Sequence, residues 1–588
     1  YTTLFRSLWR KPQNITVYQG ADSTNTTFGK IHIINNQKNL KNPIHLKKGQ
    51  TLLVDFGQNI VGWIDMNVKG IRGTTLTWKH GEMLNFNGDE SRLDKGPGGS
   101  LWTWNLREAK ATNIYVMSGN EPGEEYHPNH TYFGFRYAEL TATDDVTINK
   151  IEAQVVGTDL TEWGTFKCSD SNINRLYSNV WWGQRGNFMS IPTDCPQRDE
   201  RLGWTGDTQI FSRTALYNSD AAEFYRKWMR DMRDSQREDG AYPETAPFCN
   251  MWGYGTAGWG DAGIIVPWNT YVMTGDKDII KENWQSMQKW MEFCSSQHDG
   301  QWTHIGAEPK CGDWLAYKEV DARYVSYAYF VYSAKLMQKM AEVIGKSEEA
   351  SKYGKLWNDI RNEFQKRYIT DGEINTGKDT QTAYLLALHF NLIIDNQRQQ
   401  AMDALRKNII ANDYKLSSGF IGTGILMETL TECGMTDLAY RLLFQHQNPS
   451  WLYSIDQGAT TIWERWDSYT RESGFNKHPW NMNSFNHYSY GAVVEWFYSS
   501  ILGIRPDEQQ PGFSHIILEP HPGTKLQWAK GSTMTKYGKI SVEWKKDAQG
   551  ITHYMVTIPK GTSATLITNN QRKEVKAGKH TYRLDIHE

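Results

Sequence analysis

The sequence predicts a multidomain protein in which a central, all-α (α/α)6 barrel is flanked by antiparallel β-sandwich domains. Three observations predict this class. The 588 residues are too many for one ordinary core. Short alternating runs occupy both ends of the chain, and helical periodicity dominates the long middle part. We place the domain boundaries at 1–163, 164–505 and 506–588.

Residues 1–163 are predicted to form the N-terminal β-sandwich domain. Short runs of alternating apolar and polar residues, separated by Gly, Asn and Asp, indicate strands at regular spacing. The runs are TLLVDFGQ, GWIDMNVKG, TTLTWKHGEM, TNIYVMSG, RYAELTATD and KIEAQVVGTDL. Between them, residues 85–99 are predicted to form a long polar loop.

Residues 164–505 are predicted to form the barrel. Strong helical periodicity covers 220–239, 277–297, 323–345, 348–368, 380–393, 396–410, 434–446 and 489–503. Weaker patterns cover 171–189, 207–217, 261–274 and 422–432. About twelve helices that alternate between amphipathic and apolar fit paired outer and inner helices. A helical solenoid would require a sequence repeat, and we find none.

Residues 506–588 are predicted to form a small antiparallel β domain. The pattern becomes alternating again after Arg505-Pro506, which indicates strands. The runs are HIILEP, GKISVEWKKD, THYMVTIPKG and TSATLITN.

Composition excludes several classes of protein. The chain has 64 Lys and Arg against 66 Asp and Glu, and this balance argues against binding to nucleic acid. No apolar stretch is long enough to span a membrane. Six widely spaced cysteines show no metal-binding pattern, so we expect neither a metal nor a cofactor. The N-terminus has no signal pattern; we favour a periplasmic or secreted protein over a cytoplasmic one and leave the oligomeric state open.

Aromatic residues are the informative part of the composition. The chain has 25 Trp, 30 Tyr and 21 Phe. Several Trp lie beside Gly and Asp in loop-like stretches such as GWGD and GDW, whereas core Trp usually lie in periodic apolar runs. Because aromatic faces stack on sugar rings, we favour a carbohydrate-lined cleft over plain packing.

An acid-rich loop, residues 191–209 (IPTDCPQRDERLGWTGDTQ), is the main candidate for chemistry. It carries Asp194, Asp199, Glu200 and Asp207, and its Pro and Gly residues prevent a long helix. Crowding raises the pKa of at least one acid, which suits a general acid. Alone, such a loop is more often a surface loop whose acids pair with arginines, and Asp207 could cap the following helix.

A second acid stands in TTIWERWD, where Glu464 lies between Trp463 and Arg465. Flanking indoles would partly desolvate this carboxylate and tune it as a base; an exposed Glu464 paired with Arg465 is an equal alternative. His487 is expected at the head of an apolar helix, where a lone histidine is more often structural. Two separated carboxylates in an aromatic cleft meet the requirement of glycoside hydrolysis.

The run from Asp194 to Asp207 (DCPQRDERLGWTGD) closely resembles the core motif of bacterial α-L-rhamnosidases of glycoside hydrolase family 78. The pieces GWGD (258–261), GDW (312–314), TIWER (461–465) and FNH (485–487) look like later motifs of that family, in the same order. The resemblance covers roughly residues 170–500. It implies an (α/α)6 barrel with accessory β domains and an exo-acting enzyme that removes terminal α-L-rhamnose with inversion and without a cofactor.

The resemblance also implies roles for individual residues. Glu200 is expected to be the general acid and Glu464 the general base. The rhamnose-binding residues are expected to be Asp194, Arg198, Trp204, Asp207, Trp259, Asp261, Trp314, Trp463 and His487. Asp199 receives no role. Family members sometimes bind calcium, but no D-x-D-x-D-G loop supports calcium binding here. The family often carries additional β domains, and these are expected to affect the aglycone specificity.

Two other functions stay open. The first is another (α/α)6 enzyme, such as a polysaccharide lyase or another glycosidase; a lyase needs a Tyr, His or Lys base and would release an unsaturated product that absorbs ultraviolet light. The second is a silent carbohydrate-binding protein, which would keep the aromatic residues but lose one of the two acids. The partner in every case is a carbohydrate.

Overall fold

A computed structural model describes residues 8–40, 43–297, 306–370, 373–376, 378–478, 482–568 and 571–584. These residues form two compact units. The first unit comprises the described residues up to Asp159 together with Ser178–Leu202 and Ser454–Tyr488. The second unit comprises Leu160–Tyr177, Gly203–Tyr453 and the described residues from Ser489 onward.

The N-terminal part of the first unit contains twelve strands. They are β1 (Leu8–Arg10), β2 (Asn14–Asp22), β3 (Lys30–Gln37), β4 (Ile44–Leu46), β5 (Thr51–Gly70), β6 (Thr75–Gly81), β7 (Met83–Leu84), β8 (Leu101–Trp102), β9 (Thr112–Val116), β10 (Glu124–Tyr126), β11 (Phe133–Ala142) and β12 (Val146–Val155). Ten of them form one antiparallel sheet around the order β1-β12-β5-β11-β6-β9, and β7 pairs with β8. Alternating side chains from this sheet fill one apolar core.

The longest strand, β5, covers two runs that the sequence predicts as separate strands. Gly57 and Gly62 lie inside it with positive φ angles of 70° and 157°. A Cβ at Gly62 would lie 1.8 Å from the Gln154 carbonyl oxygen. The glycines therefore mark bends and a close backbone approach within one strand rather than its end.

The predicted polar loop at 85–99 is tightly ordered. The Asp94 carboxylate accepts hydrogen bonds from four consecutive backbone N–H groups, those of Phe86, Asn87, Gly88 and Asp89. A short 3₁₀ turn follows at Glu90–Arg92. One buried carboxylate thus replaces the sheet hydrogen bonds that this segment lacks.

The middle of the chain is helical. After strand β13 (Thr165–Cys168), the helices are α1 (Ser171–Asn187), α2 (Thr205–Asn218), α3 (Ala222–Asp234), α4 (Ala262–Thr274), α5 (Asp278–Ser296), α6 (Ala322–Val343), α7 (Ser347–Tyr368), α8 (Gln381–His389), α9 (Asp395–Ala411), α10 (Phe420–Glu432), α11 (Thr436–Leu443), α12 (Trp451–Asp456) and α13 (Val494–Trp496). Two short hairpins join β14 (Ile369–Thr370) to β15 (Glu373–Ile374) and β16 (Tyr469–Thr470) to β17 (Gly474–Phe475).

Helices of the second unit form the predicted (α/α)6 barrel. The inner helices α2, α4, α6, α8 and α10 pack side by side in that order, and the segment Ser489–Val493 packs against both α10 and α2, which closes the ring. The outer helices α3, α5, α7, α9 and α11 each pack on an inner one. Burial separates the two layers: twelve of the 13 residues of α4 are buried, against five of 22 in α7. This confirms the predicted fold class.

The prediction of one regular α-helix at 489–503 is wrong, because the segment is helical but changes its helix type along its length. The segment passes from a 3₁₀ turn (Ser489–Val493) through α13 to a π-helical turn (Phe497–Ile501). Three consecutive aromatic residues, Trp496, Phe497 and Tyr498, are all buried. Packing on several sides therefore competes with regular α geometry. Helix α12 was not predicted.

The last strands are β18 (Ile504–Pro506), β19 (His515–Leu518), β20 (Trp528–Thr535), β21 (Gly538–Lys546), β22 (Thr552–Thr568) and β23 (Gln571–Leu584). With β13 they form a seven-stranded sheet in the order β13-β20-β21-β22-β19-β18, with β23 on β22. The expectation of a purely antiparallel domain needs correction, because β19 and β22 are parallel; the β20–β21 hairpin between them supplies the crossover that parallel strands need. Strand β22 covers two predicted runs, and β20 and β23 were not predicted.

Among the described residues, no helix combines the length and apolar character that crossing a membrane requires.

Candidate active site

The loop from Asp194 to Leu202 carries the first group of predicted residues and is closed by its own ends. The Asp194 N–H donates to the Leu202 carbonyl at 2.9 Å, and the Leu202 N–H donates to Asp194 Oδ1 at 2.8 Å. The loop packs on Gly134 of β11, where a Cβ would lie 2.8 Å from Pro196 and 3.0 Å from the Gln197 nitrogen. A glycine at this position therefore permits the close approach.

The guanidinium of Arg198 contacts three carboxylates. Its Nε donates to Glu200 Oε2 at 2.9 Å, and its Nη1 and Nη2 donate to the two oxygens of Glu464 at 2.7 and 3.2 Å. Nη2 also lies 3.3 Å from Asp194 Oδ2. The side chain of Arg198 is 2% exposed. The structure thus brings together four predicted residues, called here the Arg198 centre: Asp194, Arg198, Glu200 and Glu464.

Glu464 is ionised in this arrangement. Burial alone would raise the pKa of Glu464, but the Arg198 guanidinium and the Ser484 N–H, which donates to Oε2 at 2.7 Å, outweigh burial and lower the pKa to about 2. The alternative of an exposed Glu464 paired with Arg465 is wrong, because Arg465 contacts Asp467 instead. The sequence also predicted that flanking indoles set the pKa of Glu464. The charge of Arg198 sets it instead, because its effect exceeds that of burial.

Arg107 is a residue of the site that the sequence did not predict. Its Nη1 donates to Glu200 Oε2 at 2.9 Å, and its Nε lies 3.2 Å from Asp199 Oδ1. Arg107 has a positive φ of 58°, and it follows a 3₁₀ turn at Trp104–Leu106. Two guanidiniums therefore converge on one oxygen of Glu200, and Asp199 acquires a contact that its sequence context did not indicate.

Glu82 is a second unpredicted residue and lies buried between β6 and β7. Its Oε1 accepts from the Asn59 amide at 2.8 Å, and its Oε2 accepts from the Asn105 amide at 2.8 Å and from the Phe485 N–H at 3.0 Å. We call Glu82, Asn59, Asn105 and the Phe485 N–H the Glu82 cluster. Burial raises the pKa of Glu82 to about 7, against these three donors and the nearby charge of Arg198.

Two further predicted residues of the first unit are buried. His487 does not begin a helix; its backbone pairs with Ile462 in an isolated bridge. Burial lowers the pKa of His487 to about 4, so its imidazole is neutral at neutral pH. Trp463 packs edge-on against Phe485 in a small apolar cluster, and its expected contact with the sugar stays a prediction.

Trp204 and Asp207 belong to the second unit, at the start of α2. Trp204 is half-buried, with its ring 5.1 Å from that of Trp252. Asp207 is buried, and its Oδ1 accepts from the Ser489 hydroxyl at 2.7 Å. Because α2 begins at Thr205, Asp207 does not cap it, and the capping alternative is wrong.

The later motifs of the second unit differ in exposure. Trp259 is buried, with its ring 2.6 Å from where a Cβ of Gly206 would lie. Asp261 is buried and accepts from Ser333, Trp290 and the Gly258 N–H. Both residues are buried in the packing of the second unit, and their expected contacts with the sugar stay predictions. Trp314 is 36% exposed, and its expected contact with the sugar stays a prediction.

Three potential metal ligands of the first unit, on Asp194, Cys195 and Glu200, lie within 4.8 Å of one another. Arg198 already contacts both carboxylates. Burial raises the pKa of the Cys195 thiol well above its usual value, so it is protonated and a poor ligand. The Arg198 guanidinium therefore supplies the positive charge beside these two carboxylates.

Three family models match consecutive parts of the chain. The bacterial α-L-rhamnosidase concanavalin-like domain matches residues 45–157, the bacterial α-L-rhamnosidase 6 hairpin glycosidase domain matches residues 161–501, and the C-terminal domain of the same family matches residues 503–583.

Named relatives agree with these matches. A curated α-L-rhamnosidase of Streptomyces avermitilis is 40% identical over 521 residues, which is 88% of this chain and 48% of that protein. One from Formosa agariphila is 37% identical over 546 residues, 91% of this chain and 57% of that protein. The chain therefore spans about half the length of the curated relatives it matches.

Solved structures resemble the fold closely. The crystal structure of the S. avermitilis α-L-rhamnosidase complexed with L-rhamnose matches with a TM-score of 0.84 and 38% identity, covering 91% of this chain and 52% of that one. The native enzyme from Aspergillus terreus matches with a TM-score of 0.83 and 36% identity, covering 92% and 63%.

Proposed function

Because the chain belongs to the bacterial α-L-rhamnosidase family, glycoside hydrolase family 78, we propose that it hydrolyses terminal, non-reducing α-L-rhamnosidic bonds with inversion at the anomeric carbon. The observation that carries the proposal is the Arg198 centre. It binds Glu200 through Nε and Glu464 through Nη1 and Nη2, so one buried guanidinium positions both proposed catalytic carboxylates. Inversion requires roughly 6.5–9.5 Å between the two carboxyl groups, which leaves room for the attacking water, and the proposal places Glu200 and Glu464 on opposite sides of the anomeric carbon.

In the proposed reaction, Glu200 gives its proton to the glycosidic oxygen as the bond to the anomeric carbon breaks. Glu464 takes a proton from a water that attacks the same carbon from the opposite face. The products are β-L-rhamnose and the free alcohol of the aglycone. A proton then returns from Glu464 to Glu200 through solvent.

The low pKa of Glu464 fits a base that is ionised before the substrate binds, but it also makes Glu464 a weak proton acceptor. We infer that some N–H groups of Arg198 donate to the hydroxyls of the bound sugar instead of to Glu464. Loss of its contact to Glu464 raises the pKa of that carboxylate, since burial then dominates. Asp194 is the proposed acceptor for a rhamnose hydroxyl. The other sugar-binding residues stay predictions from the resemblance: Trp204, Asp207, Trp259, Asp261, Trp314, Trp463 and His487.

The roles of Glu200 and Glu464 are distinguished by measuring Glu200→Gln and Glu464→Gln on two substrates that differ in their leaving group. On p-nitrophenyl α-L-rhamnopyranoside, Glu464→Gln is expected to lose about two to four decades of kcat, because the base is removed. Glu200→Gln is expected to lose far less on this substrate than on an alkyl α-L-rhamnoside, because nitrophenol leaves without a proton. The loss in Glu464→Gln should be the same on both substrates.

The stereochemistry is checked by proton NMR of the first sugar released. We expect β-L-rhamnose, which then mutarotates. An α product would refute inversion, and equal losses of Glu200→Gln on both leaving groups would refute its role as the acid.

A further inference from the structure

One face of the C-terminal sheet is open and carries polar residues in register. Strands β13, β20, β21, β22 and β23 lie side by side, and successive side chains of each strand point to opposite faces of the sheet. The outward residues align in two rows across the strands. One row is Thr165, Ser532, Ser541, Thr557 and Lys579; the other is Lys167, Lys530, Glu543, Met555 and Thr581.

The first row forms the floor of a groove. Ser532 is only 4% exposed although it points outward, and its hydroxyl lies 2.8 Å from that of Thr165. The groove has a volume of about 680 Å³. A row of four hydroxyl groups on a rigid sheet offers both donors and acceptors to a hydroxylated ligand.

Lysines border the groove. Lys167, Lys530, Lys539 and Lys579 line it, and Glu543 is the single acid among its lining residues. None of the four lysines forms an ion pair within the described part of the chain. The chain as a whole carries a net charge of −2, so this excess of positive charge is local.

We propose that this groove binds the anionic backbone of a polysaccharide, through its uronate carboxylates or sulfate esters. The lysines attract the anionic groups, and the Ser and Thr row binds sugar hydroxyls. The link to a carbohydrate rests on the proposed rhamnosidase function. Duplex DNA is also a polyanion and is the competing ligand, so tighter binding of DNA would overturn the inference.

Affinity gel electrophoresis tests the proposal with four probes: polygalacturonate for uronate, dextran sulfate for sulfate, neutral dextran and a short duplex DNA. We expect one or both polyanionic polysaccharides to retard the wild-type protein and neutral dextran to leave it unaffected. Added salt should weaken the retardation. In Lys530→Glu/Lys579→Glu the apparent Kd should rise at least about fivefold.

The matched control is Lys352→Glu/Lys407→Glu, which makes the same charge change at exposed helix positions. It should bind within about twofold of wild type. Lys530→Arg/Lys579→Arg should keep binding. All variants should hydrolyse p-nitrophenyl α-L-rhamnopyranoside at the wild-type rate, since none lies in the Arg198 centre.

Three outcomes overturn the inference: no retardation by either polyanionic polysaccharide, equal losses in the control variant, or tighter binding of the DNA. Failure of the wild type to cleave the rhamnoside would refute the proposed function instead. Polysaccharide binding and rhamnoside hydrolysis are measured in separate assays, so the two failures can be distinguished.

Discussion

The Arg198 centre and the Glu82 cluster are two buried carboxylate sites of one unit that are stabilised in opposite ways. Consecutive backbone N–H groups bind them: Ser484 donates to Glu464 and Phe485 donates to Glu82. Glu464 also faces a guanidinium, and its pKa falls to about 2. Within the described part of the chain, the hydrogen-bond donors to Glu82 are neutral, and burial raises its pKa to about 7.

This contrast shows that the hydrogen bonds to Glu82 do not offset its burial, whereas the charge of Arg198 offsets the burial of Glu464. Asp261 and Asp313 in the second unit repeat the pattern, since each accepts several neutral donors and burial still raises its pKa. A formal positive charge outweighs the desolvation of Glu464. The chain places its buried arginine at the proposed catalytic pair, where a defined charge state is needed.

The largest expected effect is that of Arg198→Met, which removes the charge and keeps the apolar stem. Three carboxylates then remain buried without their common partner. Breaking a buried ion pair in this way costs about 3–5 kcal/mol of unfolding free energy. Urea unfolding at neutral pH measures the loss, and kcat/KM on p-nitrophenyl α-L-rhamnopyranoside should fall more than in any other single variant discussed here.

Arg198→Lys is the control for this experiment. It restores one charge but not the planar set of donors, so it should recover part of the stability and little of the activity. A loss below about 1 kcal/mol in Arg198→Met would contradict the view that charge pairing maintains the centre.

The second largest expected effect is that of Glu82→Gln on the pH dependence of the unfolding free energy. The pKa of Glu82 is about 7 in the folded state against an ordinary value of 4.5. Its contribution to stability is therefore fully present below pH 4.5 and is lost as pH rises through 7. Glutamine does not titrate, so the unfolding free energy of the variant relative to wild type should rise by up to about 3 kcal/mol over this window.

Unfolding by urea at several pH values checks the sign. Glu464 contributes in the opposite direction, since its lowered pKa supplies stability above pH 4.5 that is lost as pH falls toward 2. A constant difference between Glu82→Gln and wild type from pH 4.5 to 8 would show that Glu82 is ionised throughout.

Local patterns predicted the helices well. The pattern at 348–368 became α7, Ser347–Tyr368, because amphipathic periodicity is carried by neighbouring residues. Strand β23 gave no such signal, since nearly all of its residues are exposed on both faces. It exists because β22 offers an edge to pair with, and pairing partners are not visible in a local pattern.

The same distinction holds for the site. The acids of the 194–207 run stand together in the sequence, and a motif could indicate them. Glu464 lies 266 residues from Arg198, so their contact could be expected only from the resemblance. Arg107 and Glu82 lie between strands of the N-terminal part of the chain, and nothing in WNLREA or KHGEML marks them. Only the fold brings them to Glu200 and Phe485.

Asp199→Asn is expected to have the smallest effect, although Asp199 stands next to the proposed acid. Its side chain is 32% exposed, and its contact is to Arg107, which is 23% exposed. Water screens such a pair, and it contributes about 0–1 kcal/mol. Arg107 also keeps its 2.9 Å contact to Glu200 when Asp199 is neutral. We therefore expect kcat/KM within about threefold of wild type, since the pair is worth so little.

Arg107→Met is the companion variant, because it removes the contact to Glu200 as well as the pair with Asp199. It should lose more kcat/KM than Asp199→Asn, and the difference between the two variants isolates the contact to Glu200. A loss in Asp199→Asn equal to that in Arg107→Met would mean that Asp199 holds Arg107 against Glu200. In that case partial exposure would be a poor guide to the importance of an ion pair beside this centre.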